Sequence, residues 1–281
     1  MRKPSILALV FALGLATAAC DIKTSANGNL SFDIAAGKAE DTWSRTYKVA
    51  DKGRFELINV NGKITAEPAD GHEVIVEGHR VAKATSDEAA KDLLAKLEIR
   101  EEVGESTVRV ESRPPRFNGG FNGIQIEWTV KVPKGVVLDL RTVNGGVRLN
   151  GIGNEVHAKT TNGGVKGDKL DVSVLEASSV NGGIDIVLAQ PLESSDSIDV
   201  ETVNGGVSLE LPNESKATIE ARCVNGGVRV GELDIKRDDQ GGSDFEKKRR
   251  LSGTMNGGGA SVKLNTTNGG IHVARTVKST T

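Results

Sequence analysis

The sequence predicts an all-β protein, a parallel β-solenoid (β-helix) of ~18–23-residue Asn-Gly-Gly repeats with one short helix in its N-terminal half. Three observations carry this. Asn-Gly-Gly recurs at intervals of 18, 19, 23 and 21 residues, from Asn144 through Asn162, Asn181 and Asn204 to Asn225. Apolar and polar residues alternate on both sides of each motif, the period of a strand with one buried face. The chain holds 34 Gly in 281 residues but only 3% aromatics, so small and β-branched side chains must fill the interior. The balance of 36 basic and 38 acidic residues excludes both a strongly basic nucleic-acid binder and an acidic tail protein. Two cysteines, Cys20 and Cys223, exclude a disulfide-rich scaffold.

Taken in chain order, residues 1–19 (MRKPSILALVFALGLATAA) read as a signal peptide. Arg2 and Lys3 supply its positive start, Ile6 to Leu15 its apolar stretch, and Thr17, Ala18 and Ala19 its small-residue end. That stretch is short of the ~20 residues a membrane span needs. The next residue is Cys20, and a small-residue site ending on Cys resembles the bacterial lipobox, which implies lipidation of Cys20 and a membrane as partner. The alternative is ordinary secretory cleavage near Ala18 or Ala19, leaving a free thiol. Removal of Arg2 and Lys3 takes the net charge from −2 to about −4. Residues 20–42 lack periodicity and read as the lipidated cysteine followed by a flexible tether.

A single β-solenoid domain is expected over 43–275, with 43–135 as its N-terminal part, 136–275 as regular repeats and 276–281 as a tail. The N-terminal part holds strand-like runs at Val74–Val81, Ser106–Ser112 and Ile124–Val132. Between them, 86–97 reads as a helix: Ser86 can cap it, Asp87 and Glu88 fill the first turn, and Leu93, Leu94 and Leu97 share a face. This half is expected to cover the open end of the solenoid, because a bare terminal rung is an exposed sheet edge.

In the repeats, each Asn can be numbered zero. Position −4 is then Leu57, Leu140, Ala158, Ala177, Val200, Ala221 and Leu264, and position +3 is Ile64, Val147, Val165, Ile184, Val207, Val228 and Ile271. Stacking such units ~4.8 Å apart would pair their backbones and line equal positions into columns. The structural turn residues are Asn61, Asn144, Asn162, Asn181, Asn204, Asn225 and Asn268. Asn before Gly adopts φ > 0 cheaply at a corner, and stacked Asn side chains can bond along the column. The rival is an antiparallel sandwich of hairpins with Asn-Gly turns, which does not account for the 18–23-residue period. Asn256 stands only 12 residues before Asn268, so its motif belongs on another side; Asn225 to Asn268, at 43, is close to two turns.

FELINVNGKITAEPADGHEVIVEG, a short helix, WTVKVPKGVVLDLRTVNGGVRL, the serial T-x-N-G-G-V units and the closing LSGTMNGGGASVKLNTTNGGIHV together resemble the bacterial "putative adhesin" family. The resemblance covers about 43–275. It implies a β-helix fold and an envelope location on an exported protein, and it implies no reaction, cofactor or ligand residues.

Signatures of catalysis (G-x-S-x-G, H-E-x-x-H, a P-loop, CxxC) do not occur in the sequence, and neither a cofactor nor catalytic residues are expected. His157 and His272 fall in outward columns and read as solvated, and Cys223 reads as a small stacking residue where other repeats have Thr or Ser. The best metal candidate is the acidic −5 column, where Glu176, Asp199 and Glu220 fall on successive repeats. Stacked like charges there would need neighbours or a Ca²⁺ ion, and ion pairing with Lys159 and Arg222 is the plainer reading. A second candidate is the charged insert Lys236–Arg250, a loop between rungs whose Phe245, Lys247, Lys248, Arg249 and Arg250 could meet anionic lipid or a partner. A third is the Pro/Gly loop Arg113–Gly123 with Phe117 and Phe121. Two functions compete. One is a non-enzymatic cell-envelope lipoprotein, periplasmic or on the cell surface, presenting a repetitive β surface to an envelope protein or glycan for adhesion, envelope assembly or stress sensing. The other is a polysaccharide-acting β-helix enzyme, which the single aromatic after residue 128, Phe245, disfavours, because sugar grooves use ring faces.

Overall fold

The computed structural model describes residues 22–24, 30–32, 37–115, 123–238 and 243–276. Residues 1–19, read above as a signal peptide, together with Cys20, Phe117, Phe121 and the tail beyond 276, lie outside the described residues. A small antiparallel pair, β1 (Ile22–Thr24) and β2 (Leu30–Phe32), comes first. The chain continues through β3 (Gly37–Lys48), β4 (Arg54–Ile58), β5 (Ile64–Pro68), β6 (Glu73–Ala84), helix α1 (Asp87–Ala95), β7 (Glu98–Val103), β8 (Thr107–Arg113) and β9 (Ile124–Val132). Repeats follow as strand pairs, each folded about its Asn-Gly-Gly: β10 (Val137–Asn144) with β11 (Val147–Asn150), β12 (Val156–Asn162) with β13 (Val165–Leu170), β14 (Val174–Asn181) with β15 (Ile184–Leu188), β16 (Ser197–Asn204) with β17 (Val207–Leu211), and β18 (Ala217–Asn225) with β19 (Val228–Gly231). Then come β20 (Lys236–Arg237), the single turn α2 (Asp244–Lys247), β21 (Arg250–Met255), β22 (Ala260–Asn268) and β23 (Ile271–Arg275).

Two sheets enclose one core. The 11-stranded sheet runs β20-β21-β18-β22-β16-β14-β12-β10-β4-β8-β7, and the 10-stranded sheet β19-β23-β17-β15-β13-β11-β5-β9-β6-β3. Each repeat gives its strand before Asn to the first sheet and its strand after the glycines to the second. Neighbouring repeats pair in parallel and in register, Asn144 against Asn162, Asn162 against Asn181, Asn181 against Asn204. That is the expected solenoid, and the hairpin arrangement is excluded for these strands. The −4 and +3 columns face inward as expected: Leu140, Val200 and Leu264 are fully buried, as are Ile64 and Ile184.

The corner works differently from the expectation. None of the repeat Asn residues has positive φ; among the described non-glycine residues only Lys52, Lys169, Glu232 and the off-register Asn256 do. What the corner demands is close approach. A Cβ on Gly182 would stand 2.0 Å from the Gly163 carbonyl oxygen, and one on Gly205 2.1 Å from that of Gly182, so the first glycine after Asn is a steric requirement of stacking. The −2 hydroxyls complete the corner. Thr160, Ser179, Thr202 and Thr266 donate to the carbonyls of Gly145, Gly163, Gly182 and Gly205, each one rung back, at 2.7–2.8 Å.

The order of the last rungs corrects the reading of the sequence. Asn225 and Asn268 are direct neighbours, not two turns apart, because β22 lies between β16 and β18 and β23 lies between β17 and β19. The chain leaves a gap after β17, builds the terminal rung, and returns to fill it. Asn256 does lie on another side, donating to the carbonyls of Asn213 and Ser215 at 2.8 and 2.9 Å. The insert Lys236–Arg250 is not a loop excursion between rungs. β20 pairs with β21, β21 lies antiparallel on β18, and Leu251 and Met255 at its edge are buried.

At the other end, β3, β6 and β9 pair antiparallel, as do β7 and β8. Helix α1 packs on β3 and β6. Its cap is the expected one: Ser86 Oγ accepts from the Ala89 amide at 3.2 Å, and Leu93, Leu94 and Leu97 are buried. The tether expected to run through residue 42 is shortened, because strand β3 begins at Gly37 and pairs with β6 without a break from Gly37 to Lys48.

Candidate functional site

The outer face of the 11-stranded sheet carries the chemistry. Its −5 column, in spatial order, is Glu56, Asp139, His157, Glu176, Asp199, Lys263 and Glu220. Glu176 and Asp199 are neighbours as expected. Glu220 is not next to them, because Lys263 of the inserted rung stands between Asp199 and Glu220. The three acids therefore do not form one cluster, and the column neutralises itself at that point. Among the described residues no group of three or more His, Cys, Asp or Glu is placed to hold a metal ion.

A shallow groove of about 510 Å³ lies over the middle of this column, lined in part by Asp139, Arg141, His157, Lys159, Glu176 and Asp199. Asp139 is buried, at 5% exposure, and Arg141 clamps it from the same strand, with Nε on Oδ1 at 2.8 Å and Nη2 on Oδ2 at 2.5 Å. Two-residue spacing puts both on one face of β10. Arg54 of the neighbouring rung adds a contact at 3.7 Å. His157 is not the solvated histidine that its outward column suggests. It bridges Glu155 (Nε2, 3.0 Å) on its own strand side and Glu176 (Nδ1, 2.7 Å) one rung on. Burial of the ring works to lower its pKa, but the hydrogen bonds to Glu155 and Glu176 and the Glu176 charge together hold it above the usual imidazole range. The groove thus presents mixed charge around one imidazole that its carboxylate partners hold more readily protonated than a free one.

Along the adjacent corner the Asn side chains form one polarised ladder. Asn144 donates to Asn61 (2.7 Å), Asn162 to Asn144 (2.8 Å), Asn181 to Asn162 (2.8 Å), Asn204 to Asn181 (2.9 Å), Asn268 to Asn204 (2.8 Å) and Asn225 to Asn268 (2.8 Å). Asn61 closes it by donating to the Ile124 carbonyl at 3.2 Å. Cys223 replaces the −2 hydroxyl in the terminal rung; it is buried, and burial pushes its thiol pKa up, which disfavours a nucleophile.

In the charged insert, Lys247, Lys248 and Arg250 are exposed and Arg249 is half-buried, while the Phe245 side chain lies outside the described residues. Its backbone is stitched to the terminal rung: the carbonyl of Lys248 accepts from the Val228 amide (2.9 Å), and that of Arg249 from the Cys223 amide (3.0 Å). The sequence reading missed the N-terminal aromatic group. Trp43 meets Trp128 edge-to-face at 5.5 Å, the Arg45 guanidinium lies 5.1 Å over Trp43, and Tyr47 donates to Glu101 at 2.6 Å. The signal was present, since every aromatic but Phe245 precedes residue 129.

The family model described as Toastrack DUF4097 matches residues 137–274, the repeats from β10 to β23. No curated protein matches the chain. Among solved structures, one titled as a putative cell adhesion protein from Clostridium sporogenes is 14% identical, with a TM-score of 0.45, covering 84% of this chain and 100% of its own. A putative adhesin from Bacteroides fragilis is 12% identical, with a TM-score of 0.30, over 84% of this chain and 97% of its own. A putative lipid binding protein from Parabacteroides distasonis is 9% identical, with a TM-score of 0.27, over 86% and 98%. Residues 137–274 are a Toastrack DUF4097 domain.

Proposed function

We propose that the chain is a non-enzymatic lipoprotein of the bacterial cell envelope, held to a membrane through lipidated Cys20, whose solenoid presents a rigid repetitive surface for adhesion or envelope assembly. The observation that carries this reading is the outer face of the 11-stranded sheet. Equal positions of successive rungs line up, and their charges are answered by neighbours: Asp139 by Arg141, Glu176 by His157, Glu220 flanked by Lys263. Such a face is set before any partner arrives, so recognition costs little side-chain ordering. The signal peptide and the cysteine that follows it supply the route to the envelope. The partner class that fits is an envelope protein or a glycan, met by a charged surface several rungs long.

The experiment has two arms. Bacteria expressing the chain should incorporate a labelled fatty acid into it and keep it with membranes, and Cys20→Ser should lose both. Cells carrying the chain should bind envelope fragments or a glycan array more than cells lacking it, and Arg141→Glu with Lys159→Glu should reduce that binding. Membrane retention of Cys20→Ser would overturn the anchor, and equal binding with and without the chain would overturn the adhesive role.

A further inference from the structure

Four strands end the two sheets: β7 and β20 in one, β3 and β19 in the other. Three of them are short or blunted. β20 has 2 residues and β7 has 6, most of them charged. β19 has 4; its Val228 amide is taken by the Lys248 carbonyl, and Glu232 just beyond it turns the chain at φ 50°. β3 is different. It is 12 residues long and pairs with β6 without a bulge. The Lys38 amide points away from β6, since it donates to Asp87 Oδ1 at 3.0 Å. In an unbroken antiparallel strand the same holds for every second residue, so Glu40, Thr42, Ser44, Thr46 and Lys48 aim their N–H and C=O groups out of the sheet. Among the described residues no backbone group bonds that edge. A long edge of this kind is a template for another strand.

We propose that β3 is the contact surface of a symmetric dimer, in which β3 pairs antiparallel with β3 of a second copy about a twofold axis at Ser44. The charge pattern selects this occupant and this register. Outward-bonding residues must face outward-bonding residues, so the axis falls on a residue of the strand. With the axis at Ser44, Glu40 faces Lys48 of the other copy, Thr42 faces Thr46, and Ser44 faces itself. On the opposite side of the strand Trp43 faces Arg45. Every one of these pairs is favourable across an antiparallel ladder, and twofold symmetry forms each of the unlike pairs twice. Arg45 already lies over Trp43 within one copy, so the same cation–ring contact is within reach of the neighbouring strand. Moving the axis to Trp43 sets Lys38 against Lys48, like against like; moving it to Thr42 sets Glu40 against Ser44, so that its only opposite charge along the strand is Lys38 of its own copy, at 2.5 Å. Pairing at Ser44 fuses the two 10-stranded sheets into one continuous sheet through both copies and removes the long edge. It stands apart from the adhesive reading and concerns a different surface.

The test uses the exported full chain. Ser44→Cys places one thiol on the axis and should give a disulfide-linked dimer under mild oxidation in cells, while Thr42→Cys, whose counterpart is Thr46, should not. Light scattering of the purified chain should show a dimer that Glu40→Lys dissociates at least tenfold more readily. Glu40→Lys with Lys48→Glu restores opposite charges in this register and should recover the dimer. Thr42→Pro removes an outward N–H that β6 does not use, and should give a folded monomer by circular dichroism. A wild-type chain that is monomeric at all concentrations overturns the proposal. So does a dimer indifferent to Glu40→Lys and Thr42→Pro, or equal cross-linking of Ser44→Cys and Thr42→Cys.

Discussion

The middle of the solenoid and its C-terminal end are made of the same unit but assembled by different rules. From β10 to β17 the rungs stack in chain order, each Asn bonding the one before it in sequence. From β18 onward the same motif is stacked out of order, with the last rung in sequence inserted between the Asn204 and Asn225 rungs. Both regions keep the parallel register, the small corner glycines and the unbroken Asn ladder. The unit therefore specifies how rungs fit together but not which rung fits where; any rung presents the same edge to any other. The end acquires something the middle does not need, a closing strand pair: β21, with β20 outside it, covers β18 and replaces a bare edge by an antiparallel one.

Removing residues 259–281 is the sharpest way to separate the two rules. In a solenoid stacked in chain order this would peel off a terminal rung. Here it extracts an interior one, with Val262, Leu264, Ile271 and Val273 all at 0–1% exposure. At about 1.5–3 kcal/mol for each buried side chain, the loss is on the order of 6–12 kcal/mol. Hydrogen exchange should show β18, β19 and β21 unprotected in the truncated chain. Retained protection of β18 would mean that the terminal rung rests directly on β16.

Substitution inside the core should also distinguish middle from end. Val207→Asp buries a carboxylate at a site 2% exposed and should cost ~3–5 kcal/mol, read as a shift in the denaturant midpoint. Val230→Asp sits two positions along in the half-buried β19 and should cost less than half as much, because the new charge reaches water. Equal costs would mean that the end is as closed as the middle.

The corner glycines test whether close approach or backbone freedom sets the repeat. Gly182→Ala would put a Cβ 2.0 Å from the Gly163 carbonyl oxygen and should cost ~2–4 kcal/mol in thermal unfolding. Gly183→Ala meets its nearest atom, the Gly206 carbonyl oxygen, at 3.4 Å and should cost under ~1 kcal/mol. Similar losses at both would remove the steric account.

The smallest expected effect is a pH dependence confined to the middle. The pKa of His157 is raised in the folded state above its unfolded value of about 6.5. Its pairing with Glu155 and Glu176 therefore contributes fully below about pH 6.5 and fades as pH rises through the folded value. Since the pair partners are partly exposed, the contribution should stay below ~1 kcal/mol. His157→Gln should flatten the stability curve in that window and leave it unchanged at higher pH. A curve of unchanged shape would show that the bridge carries no net stability.

The unit is legible in the sequence: which residues face inward, where the corners fall, that Asn would stack on Asn, and that Ser86 would cap a helix. These follow from short-range periodicity and from side-chain volume, both written locally. The sequence also placed Glu176 next to Asp199, since those rungs follow one another. Tertiary structure alone decided the order of the last rungs, and with it the fate of Glu220, because a repeat that pairs equally well with any copy of itself carries no address; the choice depends on how β21 and the insert close the end. It decided that His157 bridges two carboxylates, one of which lies a rung away. It decided, too, that the corner glycines answer to a carbonyl on the neighbouring rung, a contact that exists only once the rungs are stacked at their ~4.8 Å spacing.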